Sequence, residues 1–250
     1  MKSKMKIFFY LLSTVLLVLT SCSTDNSGNN SATNSKLLLK SDTGGIYTYD
    51  GAKIVKLSIG NGQDSNVYTY TGDLITKIDF KRGVVFDSYV YSYENNKLVM
   101  KIEKGNQGQS SLVDQYKYIY TYPSDNIILV QAYFPSNNVW KMSDGYTKYT
   151  LSSGNITKAE YFDSKGVIYA TTVYEYDNKN GQFKNVLGFD KLLGLHYYDN
   201  TKNNLIKETS TWSQNTTIST YTYTYNSNEY PNSVTFKDQY GTGTDSYTYY

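Results

Sequence analysis

From Gly45 onward the chain alternates apolar or aromatic residues with Thr or Ser in short runs, and each run is followed by a turn signal. Ile46-Tyr47-Thr48-Tyr49, Val67-Tyr68-Thr69-Tyr70, Tyr91-Ser92-Tyr93, Tyr120-Thr121-Tyr122, Tyr174-Glu175-Tyr176 and Tyr223-Thr224-Tyr225 all have period 2, which puts tyrosines on one face of a strand and small polar residues on the other. Asp50-Gly51, Thr71-Gly72, Glu94-Asn95-Asn96 and Ser153-Gly154-Asn155 tolerate the positive φ of tight hairpin turns. The first two copies superpose without a gap at an offset of 21: Ile46, Tyr47, Tyr49, Gly51, Ile54, Leu57 and Ile59 fall on Val67, Tyr68, Tyr70, Gly72, Ile75, Ile78 and Phe80. Looser copies follow, with breaks near 135–146 and 177–204. The pattern predicts an all-β antiparallel up-and-down meander of repeated hairpins. At roughly 13 residues per strand and turn, residues 37–250 give about sixteen strands in one domain. Twist accumulates across so long a sheet, so it is expected to close or roll into a large barrel-like sheet.

The first forty residues follow a different grammar. Lys2, Lys4 and Lys6 precede an apolar run, residues 7–20, that is too short for a spanning helix, and Leu19-Thr20-Ser21-Cys22 follows. Residues 1–21 are thus expected to be a signal peptide, and residues 23–36, rich in Ser, Asn and Thr, a flexible tether. Leu19, Ser21 and Cys22 resemble the lipobox of bacterial lipoproteins. The resemblance implies a diacylglyceryl group on Cys22, cleavage before it and attachment to the outer membrane through the lipidated N-terminus, at either the periplasmic face or the cell surface. More than one acyl chain is needed for lasting attachment, and this modification supplies them.

Composition narrows the chemistry. The 250 residues include 29 Tyr but one His, one Cys and only Arg82 as arginine. A histidine-ligated metal site, a four-cysteine zinc site, a Ser-His-Asp triad and an arginine phosphate clamp therefore all lack parts. Without Lys2, Lys4 and Lys6, 21 basic residues face 22 acidic ones, which is no footprint for nucleic acid. His196 reads as structural, and no cofactor or metal is expected. Asp177-Asn178-Lys179-Asn180-Gly181 and Asp199-Asn200-Thr201-Lys202-Asn203 offer some oxygen ligands but break the EF-hand spacing. Counting by twos from Tyr250, the row Thr248, Ser246, Thr244 is polar, which argues against a lipid-facing strand.

The Tyr-x-Tyr, turn, Leu/Ile-x-Lys-Ile grammar is similar to the tyrosine-rich hairpins of YD repeats in Rhs-type wall proteins, although their characteristic arginine is missing. It is more similar to a family of Bacteroidota lipoproteins described as a domain of unknown function with a porin-like fold. That resemblance covers most of residues 45–250 and implies a large antiparallel barrel-like sheet and an envelope address, with no activity to carry over.

Tyrosine rings can stack on sugars or can form the buried row of the sheet, and both roles are open for Tyr47, Tyr49, Tyr68, Tyr70, Tyr91 and Tyr93. Ligand-binding candidates lie where the repeat breaks: Phe134, Trp140 and Tyr146 at one break, Tyr197, Tyr198 and Trp212 in or beside the other. The expected function is a non-catalytic envelope binding module for a polysaccharide or another envelope protein. A scaffold using exposed strand edges and a glycan hydrolase using Glu160, Asp163, Glu175 or Glu208 are the rival readings.

Overall fold

Each Tyr-x-Tyr run pairs with the Ile/Leu run beyond its turn, because alternating side chains can bury one face only when a neighbouring strand completes the ladder. The computed structural model describes residues 36–106, 111–193 and 202–250. Cys22, His196, Tyr197 and Tyr198 lie outside these residues, as do the signal peptide and nearly all of the tether. The strands are β1 (Leu39–Asp42), β2 (Gly45–Asp50), β3 (Lys53–Ile59), β4 (Asp64–Thr71), β5 (Leu74–Arg82), β6 (Val85–Glu94), β7 (Lys97–Gly105), β8 (Val113–Ser124) and β9 (Ile127–Ser136). They continue as β10 (Val139–Met142), β11 (Tyr146–Ser152), β12 (Asn155–Phe162), β13 (Ile168–Tyr176), β14 (Leu205–Trp212), β15 (Asn215–Tyr225), β16 (Pro231–Lys237), β17 (Thr242–Ser246) and β18 (Thr248–Tyr249).

All the strand pairs are antiparallel, and consecutive strands pair in sequence with two exceptions. β10 and β11 both pair with β9, at its two ends, and β17 and β18 are one strand interrupted at Tyr247. Eighteen segments therefore make sixteen courses, as the repeat arithmetic anticipates. A two-pair seam, Leu39↔Tyr249 and Ser41↔Thr248, joins the last course to the first and gives a nearly closed barrel.

A recurring bulge shapes the wall. The register slips between Thr48 and Tyr49, Thr69 and Tyr70, Ser92 and Tyr93, and Thr150 and Leu151. One extra residue on the partner strand turns Ile54 and Leu57, three apart, to the same face, and likewise Ile75 and Ile78; all four are buried. The second tyrosine of the run then serves the neighbouring hairpin. The hydroxyls of Tyr93, Tyr122 and Tyr176 donate to the carbonyls of Ile75, Leu98 and Ile156, each at 2.8 Å, and Ile54 N–H donates to Tyr70 Oη at 3.1 Å. A phenylalanine would fill the space but leave these backbone groups unpaired, which explains the excess of tyrosine. Tyr47, Tyr49, Tyr68, Tyr70, Tyr91 and Tyr93 all belong to this inner wall and its core.

The outer wall mixes ion pairs and hydroxyl rows with exposed Ile46, Val67, Val173 and Ile218. Lys77–Asp79, Lys207–Glu175 and Glu160 between Lys148 and Lys158 form ion pairs there, among Thr and Ser rows. No helix among the described residues is long and apolar enough to cross a membrane.

The described part of the long connection between β13 and β14, residues 177–193 and 202–204, folds into the barrel as a plug. Phe183, Val186, Phe189 and Leu192 are buried against Tyr47, Ile54, Ile75 and Leu98. Backbone bonds from Val186 N to Phe183 O, Phe189 N to Val186 O and Leu192 N to Phe189 O wind it in steps of three, so this spacing presents one apolar stripe. Phe183 meets Tyr47 edge-on at 5.5 Å and stacks on Phe189 at 4.2 Å. At Gly188, with φ +71°, a Cβ would lie 2.5 Å from Asp73 O, so only glycine lets the plug approach the β4–β5 turn. Asp177 fastens its stem by accepting from Asn204 N at 3.0 Å, from Asn204 Nδ2 and from Tyr225 Oη.

Candidate functional site

The described plug residues Phe183, Val186, Phe189 and Leu192 pack against the β2–β9 side of the barrel. Around β11–β15 the buried core is small, consisting of Ala159, Tyr174 and Leu205. Between the plug stem and β14–β17 lies a cavity of about 520 Å³, within the usual range for small-ligand sites. Register places its walls: Tyr221 opposite Phe236, Tyr223 opposite Val234, and Asp245 opposite Val234 on the far side. Tyr247 continues that row, and Gln182 and Asn204 reach in from the plug stem. Gly243 packs directly on Phe236, where a Cβ would come within 2.2 Å of the ring and force it to shift.

The polar groups of the cavity differ in their commitments. Asp42 accepts from Gly45 N–H at 2.9 Å and Tyr47 Oη at 2.7 Å, and Asp238 caps its turn through Tyr240 and Gly241 N–H. The Asp245 carboxylate makes no hydrogen bond or ion pair with a described residue. Burial, reinforced by Tyr247, Tyr225 and Asp177, pushes the Tyr223 hydroxyl well above the usual phenol range, so it stays neutral and can both donate and accept. On the same inner wall, burial raises the Glu208 carboxyl, with Ser210 partly opposing through a hydrogen bond. The cavity is reached sideways. β1 ends at Asp42 and the chain turns back through Thr43 and Gly44, whereas β17 runs on to Thr242 with β16 as its only partner among described residues. This leaves a notch above the seam.

The residues singled out at the repeat breaks lie elsewhere. Trp140 sits on the outer wall, where Lys117 Nζ lies 4.8 Å from its ring and 4.7 Å from that of Tyr133. Phe134 is one step along the same hairpin, paired with Lys141. Tyr146 stacks on Phe162 at 4.5 Å and 5°, beside a smaller cleft of about 340 Å³ that also exposes the Lys101–Glu103 ion pair. Lys101 is buried there, 2.7 Å from Glu103 and 4.3 Å from the Tyr118 ring. Trp212, at the β14–β15 turn, meets Tyr169 edge-on at 6.1 Å. These four residues share one end of the barrel but no single pocket.

The four carboxylates considered for hydrolysis do not converge on one face. Glu160 and Glu175 face outward in lysine pairs, Asp163 caps its own turn, and Glu208 faces inward. Sequence reasoning missed the cavity because Tyr221, Tyr223 and Phe236 read as ordinary strand positions. The spacing of Phe183, Val186, Phe189 and Leu192 was the available signal for the plug that bounds it.

No family model matches the chain, and no curated protein matches it. Among solved structures, a porin-like protein from Bacteroides uniformis ATCC 8492 aligns over 82% of this chain and 76% of its own, at 14% identity and a TM-score of 0.38. That degree of likeness is too low to bear on function.

Proposed function

We propose that this chain is a lipid-anchored cell-envelope lipoprotein that binds a small saccharide, without turning it over, in the cavity between the plug and β14–β17. The observation that carries this reading is the cavity wall itself. Flat tyrosine and phenylalanine faces beside an uncommitted Asp245 are what a sugar ring and its hydroxyl rim require. The envelope address rests on Leu19, Ser21 and Cys22. Ion pairs on the outer wall, such as Glu160 with Lys158, and a buried inner row of Tyr, Ile and Leu support anchoring over spanning, because a transmembrane barrel turns an apolar band outward.

Isothermal titration of the mature chain against an oligosaccharide panel tests the reading. Saturable binding that is lost in Tyr223→Ala and weakened in Asp245→Asn supports it. Binding lost only in Trp140→Ala or Trp212→Ala moves the site to the barrel end, and silence across the panel from folded protein refutes it. A scaffolding role is favoured by one further observation, the β17 edge from Thr242 to Ser246, unpaired among the described residues. A stoichiometric envelope partner that is lost on Thr244→Pro would establish that role instead.

A further inference from the structure

The two ends of the barrel have opposite chemistry. At the end nearer the plug, the short hairpin tips are Gly51-Ala52, Gly72-Asp73, Asn95-Asn96, Asp125-Asn126, Ser153-Gly154 and residues 226–230. At the other end, six tips expose large apolar or aromatic side chains. The β5–β6 tip carries Val84, 78% exposed, and the β9–β10 tip carries Val139, 64% exposed. Leu112 before β8 and Val167 between β12 and β13 are exposed likewise, and Trp212 and Tyr240 stand 68% and 88% exposed at the β14–β15 and β16–β17 tips. The two remaining tips at this end, at 43–44 and 60–62, lie beside the notch.

We propose that this end of the barrel rests on a lipid bilayer, with its tip side chains in the headgroup–acyl boundary. Six tips spread around a ring are met together only by a plane, whereas a protein partner would need one continuous patch. Trp and Tyr among aliphatics, with Arg82, Lys141 and Lys165 alongside, is the composition of an interfacial belt. Three aspartates at this end are occupied, Asp163 accepting from Lys165 and Val167 N–H, Asp238 from Tyr240 and Gly241 N–H, and Asp64 from Gly83 N–H, while Asp144 is exposed. The chain outside the structure reaches far enough. Cys22 precedes Lys36 by fourteen residues, about 46–50 Å when extended, while the twelve residues of the longest strand, β8, span about 40 Å. Only this last point rests on the lipid-anchor reading.

The test uses the mature chain, residues 22–250, carrying Cys22→Ala so that no acyl group contributes. Trp140→Phe leaves Trp212 as the sole tryptophan reporter. With phosphatidylethanolamine–phosphatidylglycerol vesicles, Trp212 emission should shift to the blue and be quenched by brominated acyl chains. Adding Val139→Ser, Val167→Ser and Tyr240→Ser should lower the vesicle-bound fraction at least tenfold, whereas Leu187→Ser, in the plug, should not. An unshifted Trp212, or binding indifferent to the tip substitutions, overturns the proposal. So does a protein complex that alone shields Trp212, which would make the ring a protein interface. If the triple variant does not fold, quenching in the parent decides. Failure of the anchor reading would appear separately, as an N-terminal peptide without acyl mass on Cys22 when the chain is isolated from cells.

Discussion

Replacing Phe183 with alanine tests whether the plug is part of the folded unit or merely lies in it. The ring is buried, edge-on to Tyr47 at 5.5 Å and stacked on Phe189 at 4.2 Å, so its removal forfeits both the burial and the aromatic contacts. Phe→Ala in a core that relaxes only partly costs about 3–5 kcal/mol. For a domain of this size each kcal/mol corresponds to about 2–4 °C, so the melting temperature should fall by about 6–20 °C. The stacked pair should also couple: in a double-mutant cycle, Phe183→Ala and Phe189→Ala together should differ from the sum of their single effects by about 0.5–1.5 kcal/mol. Calorimetry and guanidinium melts of the four proteins give both numbers. A single-variant shift under about 2 °C, with a cycle that adds exactly as independent sites do, would refute the reasoning and make the plug an accessory to a barrel that stands without it.

The tyrosine hydroxyls that serve neighbouring hairpins give a sharper case: Tyr93→Phe leaves the Ile75 carbonyl unpaired and should cost about 1–3 kcal/mol in denaturant melts, whereas Tyr116→Phe, on an exposed side chain, should cost nothing measurable. Lys101→Ala strands Glu103 inside the barrel and should cost about 3–5 kcal/mol, while the joint change Lys101→Met with Glu103→Leu should recover most of that loss. Two carboxylates should respond to pH with opposite sign. Hydrogen bonds from Lys158 and Lys148 lower the Glu160 carboxyl, so its contribution is present at neutral pH and lost as pH falls through its folded value; Glu160→Gln should destabilise at pH 7 and be neutral in acid. Burial raises the Glu208 carboxyl, so the ionised form opposes folding above its folded value; Glu208→Gln should stabilise at pH 7, with the gain vanishing below about pH 4, the range of an ordinary carboxylate. Melts of both variants across pH 3–8 check the signs.

The meander was legible in residues such as Ile46-Tyr47-Thr48-Tyr49 because period 2 is a local property, and the turn positions were legible because Gly51, Gly72, Asn95 and Gly154 do take positive φ. The bulge was present in the sequence only as the three-residue spacing of Ile54 and Leu57, whose meaning depends on what pairs across from it. The roles of Tyr93 and Tyr122 were hidden for a similar reason: their hydroxyls end on a different hairpin. Phe183 to Leu192 read as a break in the repeat, since nothing local says that a connection will turn inward. The cavity is the space the plug does not fill, a difference between two volumes that no residue pattern encodes.

The seam between β1 and β18 has a consequence for how the chain reaches this state. Every hairpin but β13–β14 closes a short loop, whereas Ser41 and Thr248, joined by a 2.7 Å hydroxyl bond, stand 207 residues apart. Ordering a free loop of that length costs roughly (3/2)RT ln n, about 5 kcal/mol, against about 2 for a ten-residue hairpin, and the return is two residue pairs. Hairpins should zip quickly along the chain while the ring shuts last and reopens first. Such a chain spends part of its folding time as a long curled ribbon with bare edges on β1 and β17, able to add a strand from a second copy. A chaperone that shields those two edges would raise the yield of closed rings more than one that holds the hairpins.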